Sequence, residues 1–115
     1  MDKAIQVLLN PEKLNLPDSS AVYAVFSSSK CRFVGVTDNL HQTILEHFMP
    51  NEPNIPFRYF MQSVKPKIIQ FEVLPNTLSF SQREAIRENW NNLYTPTDGQ
   101  ASFFPREAQP QLVTI

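Results

Sequence analysis

From Ala21 to Phe26 the chain is apolar at every position (AVYAVF), which suits a strand covered on both faces. A polar turn, Ser27-Ser28-Ser29-Lys30, leads to a second β-rich run, CRFVGV at 31–36, and that spacing predicts a hairpin. Asp38 then offers a helix N-cap. Leu40, Ile44 and Phe48 recur every fourth residue, with Leu45 beside them, as the core face of a helix over 39–48. Pro50 and Pro53 end it. FRYFMQSV at 57–64 suits a short second helix. IIQFEVL at 68–74 predicts a third strand, with Ile69, Phe71 and Val73 on one face. Ser79 or Ser81 can cap a final helix to about 93, where Ile86, Trp90 and Leu93 form a stripe with Ala85 adjacent.

The flanks carry weaker patterns. Residues 3–9 suit a short helix, stopped by Asn10-Pro11 because the residue before proline avoids helical angles. Leu14, Leu16 and Pro17 form an extended lead-in, and Pro17-Asp18-Ser19-Ser20 is a turn cluster. Gly99 closes the regular part; from Ala101 the chain is expected to be extended, with Phe103-Phe104 packing. The result is a lead-in over 1–19, a domain over 20–97 and an extended tail over 98–115. The fold class is α/β: a small three-stranded, largely antiparallel sheet flanked by helices.

Composition narrows the function. A chain of 115 residues fits one domain, and ten Pro against two Gly suggests stiff loops. A formal net charge of −1 weighs against avid nonspecific DNA binding, which draws much of its affinity from cationic contacts to phosphate. Cys31 is the only cysteine; it forms no intramolecular disulfide and no thiolate metal site alone, and it reads as a packed thiol. No run approaches the roughly 18 apolar residues of a membrane span. The apolar run Ile5–Leu9 is too short for a signal-peptide core, so a soluble, cytoplasmic protein is expected.

Ala21-Val22-Tyr23 and Phe33-Val34-Gly35 resemble the two halves of the GIY-YIG signature of a nuclease superfamily. The most specific stretch is Phe33-Val34-Gly35-Val36-Thr37-Asp38-Asn39-Leu40 with His47 following, and the likeness covers roughly residues 20–93. Trp90 and the VYAVF and FVGV runs also resemble the domain fused to plant plastid glutaredoxins, which hints at a photosynthetic bacterial source. The resemblance implies phosphodiester hydrolysis by signature tyrosines, a helical arginine on phosphate, and a glutamate on the last helix holding one divalent metal. Tyr23 keeps the first tyrosine. Phe33 replaces the second and has no hydroxyl. Thr43 stands at the arginine position and Asn89 at the glutamate, with Glu88 its neighbour. These departures imply a domain with weak or no catalysis and no cofactor, binding a protein or a nucleic acid. The alternative is a metal-dependent DNA endonuclease using Tyr23, Glu88 and Arg32 with Mg2+ or Mn2+.

Several residues admit two readings. Tyr23 suits a remnant general base or a half-buried strand tyrosine; His47 suits a phosphate contact or a helix C-terminus. His41 is expected in solvent. Lys30, Arg32, Arg58, Lys65 and Lys67, with Phe57, Tyr59 and Phe60 interleaved, form either a nucleic-acid face or scattered charge over core aromatics. Arg83, Glu84, Arg87 and Glu88 suit a solvated helix face. Gly35 marks a bulge or close backbone approach, or else a strand end needing a permissive angle. No Ser-His-Asp signature, phosphate-cradling glycine loop or His/Cys metal spacing is present.

Overall fold

The computed structural model describes residues 4–8 and 15–103. Its elements are β1 (Ala4–Leu8), β2 (Ala21–Ser27), β3 (Lys30–Thr37), α1 (Leu40–His47), α2 (Ile55–Gln62), β4 (Lys67–Val73), α3 (Phe80–Tyr94) and β5 (Gln100–Phe103). They form an α/β fold around a five-stranded sheet in the order β1-β4-β2-β3-β5. Every neighbouring pair is antiparallel except β3 and β5, which are parallel. No helix among the described residues is long and apolar enough to cross a membrane.

The central hairpin follows the sequence pattern. β2 lies between β3 and β4, and Ser28 takes a positive φ of 58° in the turn. The sheet is wider than the three strands expected, and both additions are edge strands. The segment expected as a helix over 3–9 is strand β1, with Ile5 opposite Gln70. Its run is too short to separate a period of 3.6 from one of 2, and the open edge of β4 decides the outcome. β5 arises from the stretch expected as an extended tail. Asp98 N–H donates to the Arg32 carbonyl at 2.7 Å, and β5 then runs alongside β3. The helix stop at Asn10-Pro11, Leu14 and the tail from 104 onward lie outside the described residues.

The helix ends correct several expectations. Asn39, not Asp38, caps α1: its side-chain oxygen accepts from the Gln42 N–H at 2.9 Å. Asp38 instead pairs with the Arg83 guanidinium. α2 starts two residues earlier than 57, because Asn54 caps it and Pro56 fits a first turn, where no N–H is needed. Ser79 and Gln82 form a capping box on α3. On α3 the inward stripe runs from Ile86 and Trp90 to Tyr94, while Leu93 is 65% exposed. The fourth residue after Trp90 stays on its face and the third does not. On β4, Ile69 and Phe71 are buried, but Val73 at the strand's end is exposed.

Alternation along β2 splits the core in two. Ala21, Tyr23 and Val25 pack with Phe33, Leu40, Ile44, Phe57 and Ile69 under α1 and α2. Val22 and Ala24 pack with Val34, Val36 and Trp90 under α3. Cys31 lies in this second layer, and burial pushes its thiol up to about 11, as a packed thiol should behave.

Candidate functional site

Tyr23 pairs with Gly35 directly across the hairpin, so both point to the α1 face of the sheet. The tyrosine ring lies over the glycine: a Cβ on Gly35 would collide with the Tyr23 hydroxyl and ring. Close approach, rather than a positive φ, is therefore what this glycine supplies.

The phenol ends 2.7 Å from Nε2 of His47, the last residue of α1. Nδ1 of His47 lies 2.6 Å from Glu52 Oε1, and Glu52 Oε2 accepts from the Asn54 N–H at 3.0 Å. Tyr23, His47 and Glu52 are 0%, 2% and 7% exposed, so the phenol is sealed from water and Glu52 is the outermost member of the chain. The hydrogen-bond order assigns the protons. A carboxylate only accepts, so His47 donates from Nδ1; Nε2 then accepts from the Tyr23 hydroxyl. Phe33, Phe57 and Phe103 meet the imidazole edge-on at centroid distances of 5.1, 4.9 and 5.4 Å. Phe33 itself stacks on Phe57 at 4.5 Å.

Electrostatics follow from this burial. Tyr23 is held well above its ordinary value, by desolvation first and then by the charges of Glu52 and Glu46. A phenolate base is correspondingly disfavoured. Burial also pushes Glu52 up, but hydrogen bonds from His47 and the Asn54 N–H, helped by the Arg58 charge, outweigh it and hold the carboxyl below its usual range.

Beside this chain opens a cavity of about 420 Å³. Thr43, Glu46 and His47 of α1 line one side, with Met49 and Glu52 from the loop and Phe103 from β5 on the others. Among the described residues no Lys or Arg lines it. Thr43 is buried, and its hydroxyl meets that of Thr37 at 2.5 Å.

The residues expected on the last helix lie elsewhere. α3 packs on the opposite face of the sheet from Tyr23, and Glu88 and Asn89 are exposed on it. Glu88 lies 3.9 Å from Arg87. Glu88 and Asn89 do not converge with Tyr23, Phe33 and Thr43, so the divalent metal implied by the resemblance does not fit this arrangement. Among the described residues no group of three or more His, Cys, Asp or Glu is placed to hold a metal ion. Arg83, expected on a solvated face, is instead 2% exposed.

The basic residues are dispersed. Arg32 binds Asp98 at 2.8 Å and lies 4.8 Å over the Phe60 ring. Lys67 is buried, donates to the Ser63 and Lys65 carbonyls, and is lowered by desolvation. Lys30 and Lys65 are exposed, and Arg58 lies 5.8 Å over Tyr59. Phe57 and Phe60 are core; only Tyr59 of the three aromatics is exposed. His41, half-buried, lies 3.8 Å from Asp18. Glu52 escaped the sequence reading; Phe103 was expected to pack, and it does so against the core, but its place on the cavity wall was not foreseen. Glu52 sits between two prolines that signal only a loop, and Phe103 in a stretch expected as an extended tail. Comparison of the chain with family models, curated proteins and solved structures finds no match.

Proposed function

We propose that this chain is a GIY-YIG-like domain without nuclease activity, acting as a binding module. The Tyr23 hydroxyl carries this reading: it is fully buried and held by His47 at 2.7 Å. A general base must reach the water it activates. Phe33 has no hydroxyl, Thr43 spends its own on Thr37, and the α3 carboxylate faces away across the sheet. The cavity beside Tyr23 supplies the binding role. Its carboxylates repel phosphate, which favours a protein partner over a nucleic acid.

Supercoiled plasmid incubated with the pure protein and Mg2+ or Mn2+ tests the inactive half. Intact plasmid is expected. Nicking that vanishes in both Tyr23→Phe and Glu88→Gln would overturn the reading. A salt-sensitive gel shift on duplex DNA would replace the protein partner with a nucleic acid.

A further inference from the structure

The cavity at the end of α1 has the volume of a ligand site, inside the roughly 300–1,000 Å³ of typical pockets. Its wall is two-sided. Met49, Pro53 and the Phe103 ring supply apolar surface; Glu46, Glu52 and Asn51 supply acceptors. Glu46 Oε2 is bonded by the Gln42 amide at 2.9 Å, which fixes the carboxylate toward one rotamer. His47 terminates α1, so the negative end of the helix dipole adds to the same field. An occupant must therefore combine positive charge with an apolar stem and a flat face to lie against Phe103.

We propose that this cavity binds a guanidinium group carried on an apolar stem, of the kind an arginine side chain presents. A planar guanidinium forks onto carboxylates and stacks on aromatic rings, which a compact ammonium does less well. The inference names the ligand class for the binding role proposed above and rests on that reading. The guanidinium head sits at Glu46 and the rim of Glu52, and the stem lies along Met49 and Phe103. His47 lines the floor, and Tyr23 lies buried beneath it, out of the ligand's reach.

The test is a titration of the isotope-labelled full chain, followed by amide NMR shifts. The probes are N-acetyl-arginine amide, its citrulline counterpart, butylguanidinium and a capped peptide with a central arginine. The arginine probe should give saturable shifts at residues 42–53 and Phe103, and citrulline none. Glu46→Gln should weaken binding about fivefold, and Glu46→Lys should abolish it. Glu46 is exposed, so both variants should keep the fold, which unchanged shifts elsewhere would confirm. A peptide that binds at least tenfold tighter than butylguanidinium identifies a protein segment as the source; equal binding identifies a small guanidine. Citrulline binding as well as arginine, or no saturation below about 10 mM, would overturn the proposal. Plasmid cleavage on the same preparation separates the two failures: intact plasmid with no arginine binding sinks this inference alone.

Discussion

Tyr23→Phe isolates one hydroxyl in a sealed environment. The ring stays, so packing against Gly35 and Phe33 changes little. What is lost is the donor to His47 Nε2, at 2.7 Å and without solvent access. The imidazole nitrogen is left as a buried acceptor with no partner, which costs about 1–3 kcal/mol. For 115 residues, an unfolding entropy of about 0.24 kcal/mol/K follows from roughly 2.1 cal/mol/K per residue. The midpoint of thermal unfolding should therefore fall by about 4–12 °C. Differential scanning calorimetry measures it, with urea unfolding as a second probe. A shift below about 1 °C would refute the buried chain, since a solvated phenol gives that result. The same variant carries a second signature at high pH. A phenol held above its ordinary value of 10.0 contributes stability that is complete below that pH and is lost as pH rises through the folded value. Removing it should make the variant's stability fall less steeply above pH 10 than the parent's, read from urea midpoints across that range.

Other perturbations discriminate further. Gly35→Ala drives a methyl into the Tyr23 ring and should cost about 1–3 kcal/mol or more, seen as a lower urea midpoint. Asn39→Ala should cost about 1 kcal/mol by the same measure, because it removes the α1 cap. Glu52 is held below its ordinary 4.5, so its contribution is present above that pH and lost as pH falls through the folded value. Glu52→Gln should therefore flatten the acid limb of the stability profile. Thr43→Arg combined with Asn89→Glu should yield no plasmid cleavage, because the arginine enters a buried site and the glutamate faces the far side of the sheet.

The sequence carried the central hairpin, the third strand and the helices because their apolar periods are long or their caps explicit. AVYAVF has one reading, and Ser79, offered with Ser81 as the cap of the final helix, is the residue that caps it. The edge strands had no such signal. β1 is five residues whose state depends on the free edge of β4, and β5 pairs with a strand far upstream. Asp38 was a sound cap by local rules; a tertiary partner, Arg83, took it and Asn39 stepped in. The site was legible in pieces. Tyr23, Thr43 and His47 were singled out; Thr43 and His47 line the cavity, and Tyr23 is bonded to His47 behind it. Glu52, which completes their chain, was hidden in a loop because nothing in a one-dimensional pattern shows that His47 needs an acceptor.

The parallel β5 imposes an order on biogenesis. Arg32 and Asp98 are separated by 66 positions, so the outer edge of β3 leaves the ribosome without its neighbour. At about 5–20 residues per second, it waits roughly 3–13 s before β5 arrives. During that interval a bare strand edge is open to mispairing with other nascent chains. Phe103, which walls the cavity, arrives with β5. A product stalled or clipped before that residue lacks part of the wall, so the proposed guanidinium binding would require chains translated at least that far.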